Sequence, residues 1–478
     1  MGAGGDEDTM ATPIDPQSVG FLLAESRNTP IHVGGLLLLE KPDDAGPSYV
    51  RDMYEESLMV EKVRPLFLKR PHRSLATGLQ WTWTEDEQFD IEHHVRHSAL
   101  PEPGRIRELL DLTSRLHGQQ LSLERPLWES HLIEGLNDGR VAMYTKIHHA
   151  LVDGVSAMRL LGSAFSPDPD ERGMVPPFAY RPKPPRDEAS RALVRAAADV
   201  PISAVRSALG VAAEAAGMPS ALIKTLQTGA RNETAGPASY AAPRSILNQR
   251  ISGARRVAAQ DWEIERLKRV AKATGTTLND VVLAMSGGAM RTYLSDLGAL
   301  PDASLVSMCP VGLNAKQAHV ASDKGGNAVG TLMVKLGTNL EDPADRLQGI
   351  HDSMVAGKQA MESMTKAQII AMAAIGMAPL VIQPVLRLNG IMRPPFNLVI
   401  SNVPGPREPV YYNGAKLSGM YPASVPMHGQ AMNITCTSYN GQMGFGLTGC
   451  RRTVPSLQRL LIHLEDALVD LERAAGLN

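Results

Sequence analysis

Cysteine is scarce in this chain. Its 478 residues include three, Cys309, Cys436 and Cys450, and no two are close in sequence. A disulfide framework or a zinc knuckle needs paired spacing, so both are excluded, and a reducing compartment fits such usage. Charge of one sign is also lacking. The formal net charge is -2 and no run of like charge stands out, so nothing in the balance recruits nucleic acid. The first seventeen residues, Met1 to Gln17, have neither a basic start nor an apolar stretch, unlike a secretory signal. Gly5 and Asp6 stand where a myristoylation motif wants a hydroxyl residue. HExxH and CxxC are missing, which leaves metal chemistry without its familiar ligand sets. A complete GxSxG elbow is missing too, because Gly154-Val155-Ser156-Ala157-Met158 lacks the second glycine. No internal repeat is visible.

What remains is a globular composition, 43% hydrophobic and 21% charged. The chain is too long for one ordinary core at about 100–200 residues per domain. Residues 1–12 read as a loose tail and 13–166 as a first lobe. Val141, Met143, Thr145 and Ile147 alternate with Ala142, Tyr144 and Lys146, the period of a strand. Leu127 to Leu136 is its candidate neighbour. Ile106, Leu109, Leu110, Leu112 and Leu116 keep helical spacing. Seven prolines between Pro167 and Pro185, then an Ala-rich stretch to Thr225, mark 167–242 as a crossover linker. In a second lobe, 243–478, helices are expected over Asp261 to Thr274, over Leu278 to Leu297 behind a Thr277 cap, and from Pro455 to Gly476. Strands are expected at Ser304 to Cys309, Ala328 to Leu336 and Phe396 to Val403. The mixture is α/β in two lobes.

The stretch KIHHALVDGVSAM is the most informative. A strand ends at Ile147, His148 and His149 follow, and Asp153-Gly154 leads into a helix from about Val155. A neutral imidazole just past a strand end can take a proton from a hydroxyl near neutral pH. An alcohol is a poor nucleophile until that proton leaves, so acyl transfer to it needs such a base. Asp153 can brace the turn through a charge-assisted bond, and Gly154 can permit a tight backbone. A metal site at His148, His149 and Asp153 is the alternative. The other pair, His93-His94, has no Asp-Gly behind it and reads as structural or surface.

HHALVDG resembles the HHxxxDG signature of the coenzyme A-dependent acyltransferases, which include chloramphenicol acetyltransferase and peptide-synthetase condensation domains. The resemblance implies a two-lobed fold with the histidine in a tunnel between lobes. Acyl-CoA would arrive from one face and the acceptor from the other. It makes His149 the general base, with His148 beside it. It makes Asp153 structural, paired with an arginine elsewhere in the chain.

Further motifs, spread along the chain, are similar to the bacterial wax ester synthase/diacylglycerol acyltransferase family. They are TPIHVGGLLLLEKP from Thr29, LPEPGRIRELL, Pro126-Leu127-Trp128 in RPLWESHLIEGL, LNQR at Leu247, Asn279-Asp280 in TTLNDVVLAM, and FNLVISNVPGPREP with Ser401-Asn402. The likeness runs from about Pro13 to Gly476. It implies direct transfer of a long-chain acyl group from acyl-CoA to a fatty alcohol or to diacylglycerol, through a tetrahedral intermediate. Acyl-CoA is then a substrate, and no cofactor is implied. The implied partners are these lipids and a membrane or lipid-inclusion surface. The implied place is cytoplasmic, at the periphery of the inner membrane or of inclusions.

The supporting motifs also have plain physical readings. Pro126, Leu127 and Trp128 would pack a wall of the first lobe. Asn279 and Asp280 would brace a helix start or face the site. Ser401 and Asn402 precede a rigid turn and would offer polar groups to a cleft, and Thr435, Thr437 and Ser438 would offer hydroxyls to an oxyanion. Ala367 to Leu386 carries no charge and is interrupted at Gly376, Pro379 and Pro384. Broken helices there would line an acyl channel, with Ala374 and Gly376 leaving room for an alkyl chain; a plain core helix is the alternative. Two other functions remain open. A condensation-type or small-molecule acyltransferase would use the same histidine, although no carrier domain is fused here. A non-catalytic lipid-inclusion protein would not need an intact HHxxxDG.

Overall fold

The computed structural model describes residues 12–75, 78–180, 242–312, 329–362, 364 and 393–477. Ala374 and Gly376 lie outside the described residues, as does 181–241 of the expected crossover.

The first half holds β1 (Thr12–Pro13), α1 (Pro16–Ala24), β2 (His32–Glu40), α2 (Tyr49–Leu58), β3 (Lys69–His72), β4 (Thr82–Glu85), α3 (Ile91–His94) and β5 (Val95–Ala99). It continues with α4 (Ile106–His117), β6 (Trp128–Glu134), β7 (Val141–His148) and α5 (Gly154–Gly162). The second half holds β8 (Arg255–Glu263), α6 (Ile264–Thr274), α7 (Leu278–Asp296), β9 (Val306–Gly312), β10 (Val329–Lys335) and α8 (Pro343–Glu362). After them come β11 (Leu398–Pro404), β12 (Tyr411–Tyr412), β13 (Ala415–Ala423), β14 (Met432–Tyr439), β15 (Gln442–Cys450) and α9 (Arg459–Ala474).

These elements build two six-stranded mixed sheets. One runs β12-β13-β2-β7-β6-β5 and the other β10-β9-β11-β14-β15-β8. The first sheet therefore takes two strands from beyond residue 243, with Ala423 opposite Gly34 and Met420 opposite Leu37. This exchange carries Ser424 to the end of β2, beside the histidines.

The centre of the first sheet is buried on both faces. Ala142 and Tyr144 of β7 pack with Leu109 and Leu116 of α4, while Val141 faces Val50 and Met53 of α2. Close packing explains the paired glycines of β2. A Cβ on Gly34 would stand 2.9 Å from the Tyr144 hydroxyl, and one on Gly35 would stand 2.8 Å from a Leu161 methyl of α5. The apolar area removed from water, worth about 25 cal/mol per Å², holds β2 and β7 as the rigid support of the site.

Several expected bounds shift for local reasons. Helical spacing reaches back to Asp261, but the ladder to β15 continues through Glu263, so α6 begins at Ile264. Pro455 does not start the last helix. Ser456 takes a φ of 51°, which breaks the helical path, and α9 starts at Arg459. Residues 167–180, expected to open the linker, fold back on the first lobe. Arg64 N donates to Phe178 O at 2.8 Å and Tyr180 N to Lys62 O at 2.7 Å. No described helix is long and apolar enough to cross a membrane.

Candidate active site

The chain turns where β7 ends, and three backbone anchors fix the turn. His148 lies opposite His32 in the β2 ladder. His148 N donates to Leu127 O at 2.9 Å, and His149 N donates to Ile31 O at 2.9 Å. Four residues on, Asp153 caps α5, its Oδ1 accepting from Ser156 N at 2.6 Å. A short acid at this position satisfies a free helix N–H and favours the positive end of the helix dipole. Asp153 thus closes the turn by capping the helix. The arginine partner that the resemblance implies does not take that place among the described residues. Asp153→Ala should accordingly cost about 1 kcal/mol, and Asp153→Asn, which keeps a cap, much less. Thermal melting checks this; an alanine variant that melts like wild type yet makes no ester would show the carboxylate acting on the reaction itself.

Gly154 corrects an expectation. It is not among the glycines with positive φ, and a Cβ there would meet nothing within 4 Å. The turn does not need a glycine. Among the described residues, none approaches the place its side chain would take at the start of α5.

His149 is half-buried. The Phe21 ring of α1 lies against it, centroids 4.4 Å apart and planes at 33°. Its Nδ1 is buried without a hydrogen-bond partner. Burial pushes the pKa of His149 below the ordinary 6.5, against the pull of its own main-chain carbonyl and of Asp153, and His148 adds to the lowering. The neutral ring therefore prevails near neutral pH.

His148 is buried and turned the other way. Its Nδ1 accepts from Ala150 N at 3.0 Å, which places the ring proton on Nε2. That nitrogen lies 3.4 Å from Glu25 Oε2.

A polar layer underlies the pair. Lys146 sits on the His148 face of β7, two residues earlier, and none of its side chain is exposed. Its Nζ donates to Leu116 O at 3.0 Å and Gln119 O at 2.8 Å, and lies 3.2 Å from Glu129 Oε2. A cation suits these carbonyls at the end of α4. His32 Nε2 donates to His117 O at 2.9 Å. The His117 ring contacts Tyr144 OH at 2.7 Å and donates from Nε2 to Ser424 O at 2.8 Å; burial pulls its pKa down to about 3. Ser424 Oγ meets Thr435 Oγ1 at 2.7 Å, and Thr435 lies opposite Ser401 in the parallel β11–β14 ladder. Polar contacts thus run from one sheet to the other.

Of the remaining motif residues, Pro126, Leu127, Trp128 and Asp280 serve the frame. Leu127 and Trp128 are fully buried. Leu127 O anchors His148, while Pro126 O accepts from Trp128 N at 3.0 Å. Trp128 Nε1 donates to Phe67 O at 2.9 Å, and its ring stacks on His94 at 4.7 Å. His94 is structural, its Nδ1 donating to Trp128 O at 2.8 Å. Asp280 forms a capping box with Thr277 at the start of α7, and its Oδ2 lies 2.8 Å from His351 Nδ1 of α8. No described contact joins Asn279 or Asp280 to His149. Ser401 and Asn402 sit half-buried on β11. The hydroxyls expected to face an oxyanion are engaged in the fold. Thr437 Oγ1 donates to Val403 O at 2.7 Å, and Ser438 Oγ accepts from Gly405 N at 3.3 Å.

Sequence reasoning passed over Phe21, Glu25, Ile31, His117 and Lys146. One signal was present for Lys146, a cation inside an apolar strand and in phase with His148.

Residues 14–282 match the family model described as the wax ester synthase/diacylglycerol acyltransferase catalytic domain, and 325–472 match that family's C-terminal domain. A Mycobacterium tuberculosis H37Rv protein, named a probable diacylglycerol O-acyltransferase, is 46% identical over 468 residues, 97% of this chain and 99% of that one. A solved wax ester synthase/diacylglycerol acyltransferase from Marinobacter aquaeolei VT8 superposes with a TM-score of 0.77 at 40% identity, covering 97% of this chain and 100% of that chain. The first condensation domain of the CDA synthetase shares the fold, with a TM-score of 0.55 at 18% identity, covering 98% of this chain and 97% of its own.

Proposed function

The chain belongs to the wax ester synthase/diacylglycerol acyltransferase family and is an acyltransferase, and from that premise we propose that His149 is the general base of an O-acyl transfer from long-chain acyl-CoA to a fatty alcohol or to diacylglycerol. The observation that carries this reading is the His149 ring itself, half-buried at the end of β7, with Nδ1 turned inward and its pKa lowered by burial. In the tautomer that carries its proton on Nδ1, Nε2 presents its lone pair to an acceptor hydroxyl.

The step follows from that geometry. Nε2 takes the hydroxyl proton as the alcohol oxygen attacks the thioester carbonyl. The tetrahedral intermediate collapses, the C–S bond breaks, and the proton passes from Nε2 to the coenzyme A thiolate. Acyl-CoA is consumed as a substrate, and no separate cofactor takes part. The acceptors are membrane lipids, so the protein is read as working at the surface of the inner membrane or of lipid inclusions. Ala374 and Gly376 remain the proposed wall of the acyl channel.

The name of the mycobacterial relative favours diacylglycerol as acceptor, and that of the Marinobacter structure favours both. Labelled palmitoyl-CoA offered with hexadecanol, with dioleoylglycerol or with neither, and resolved by thin-layer chromatography, ranks them. Ester in neither acceptor lane would sink the proposal. Because no serine or cysteine stands in an elbow, intact mass should show no acylated chain after incubation with acyl-CoA alone. A stable acyl adduct would replace direct transfer by a two-step route.

A further inference from the structure

We infer that Glu25, outside every motif, is a positioning residue that holds both histidines for the reaction. This rests on the reading of His149 as general base. Glu25 closes α1, its N–H donating to Phe21 O at 3.1 Å, so the helix that lays Phe21 on the His149 ring ends at this carboxylate. The side chain is 4% exposed. Its Oε2 accepts from Ile31 N at 2.5 Å, and the carbonyl of that same Ile31 accepts from His149 N at 2.9 Å. The same Oε2 lies 3.4 Å from His148 Nε2, and Oε1 accepts from Gln120 Nε2 at 3.0 Å. One carboxylate therefore touches His148 directly and reaches His149 through a single residue. A buried carboxylate is costly unless donors surround it, and here Ile31 N and Gln120 Nε2 supply them.

The loop between Glu25 and Ile31 is itself clamped by the second sheet. Arg255 at the start of β8 is buried, and its acceptors are main-chain carbonyls. Nη1 donates to Ser252 O, and Nη2 donates to Asn28 O at 2.9 Å and to Pro426 O at 3.4 Å. Gly253 lets this segment approach closely, since a Cβ there would stand 2.5 Å from Arg27 O. The second sheet thus fixes the loop, the loop presents Glu25, and Glu25 fixes the histidines. Among the described contacts Glu25 meets Ile31, Gln120 and His148 and not the His149 ring, so its loss should appear in kcat and not in KM.

The test uses the full chain with palmitoyl-CoA and hexadecanol, measuring kcat and both KM values. A displacement of about 1 Å can cost about 100-fold in rate, so Glu25→Ala should lower kcat by about that factor with both KM values unchanged. Glu25→Gln keeps an acceptor oxygen for Ile31 N–H and the same shape; its kcat should fall between wild type and Glu25→Ala. The decisive readout is the His149→Ala background. With the positioned group gone, adding Glu25→Gln should remove no further activity, whereas a general scaffold role would add its loss on top. Wild-type kcat in Glu25→Gln, a raised KM, or additive losses would each overturn the inference. Should Glu25→Ala fail to fold, the isosteric Glu25→Gln still decides. Wild-type turnover in His149→Ala alone would instead remove the general-base reading, a result distinct from any of these.

Discussion

His149→Ala should lower ester formation by about 10²–10⁴-fold while the protein keeps its melting temperature, the loss expected when a general base is removed. The ring is half-buried and its Nδ1 has no partner to strand; its main loss in packing is the contact with Phe21. His148→Ala should behave differently. His148 is fully buried, accepts from Ala150 N and faces Glu25, so its removal empties a packed site and should lower melting temperature together with rate. Stability thus separates the two neighbours where activity alone would not.

The pH profile gives an independent check on the same residue. Burial lowers the pKa of His149 from 6.5. A base works only when deprotonated, and a lowered pKa keeps it deprotonated into more acidic solution. The acid limb of kcat/KM should therefore have its midpoint below 6.5, and it should vanish in His149→Ala. A midpoint above 6.5 would mean that another group limits the rate, and unchanged turnover in the variant would end the proposed mechanism.

What could be read in the sequence was what depends on near neighbours. The strand through Ile147, the helix through Leu109 and Leu116, and the Thr277 cap follow from local spacing, and each is present. The histidine pair and Asp153 were legible because seven adjacent residues carry them. Contacts between distant segments left no such mark. Period-two alternation assigns Lys146 to a polar face, but α4 covers that face and turns Lys146 into a buried ligand of helix-end carbonyls. Glu25 reads as an ordinary acid at the end of a short helix; its meeting with His148 depends on β2 bringing Ile31 under His149. The strand exchange that sets Ser424 beside His117 is likewise invisible to any local pattern, since β12 and β13 join a sheet whose other four strands lie in the first half of the chain.

Lys146→Met should destabilise the fold by about 3–5 kcal/mol, the cost of leaving one member of a buried ion pair without its partner. The methionine fills much the same volume, so the loss reports charge and hydrogen bonds more than a cavity. Two carbonyls at the end of α4 would lose their donor, and Glu129 would lose the ammonium 3.2 Å away. Burial alone would raise the Glu129 pKa. Its contact with His131 and the charges of Lys146 and Arg96 outweigh that and hold it down at about 2. Lys146 itself is shifted downward by burial despite Glu129, so the ammonium is retained at a cost that the carboxylate offsets. A carboxyl depressed in the folded state contributes stability that is present above its unfolded pKa, near 4.5, and is lost as pH falls toward 2. Removing Lys146 removes one of the charges that depress it, so acid unfolding of Lys146→Met should begin at higher pH than in wild type. Adding Glu129→Gln removes the stranded charge, and the double variant should lose less than the two single losses combined. Urea unfolding at neutral pH, with acid titration followed by circular dichroism, measures both effects. A Lys146→Met protein within about 1 kcal/mol of wild type would show that the helix-end carbonyls and Glu129 find other donors, and that this layer does not stiffen the strand end on which His148 and His149 stand.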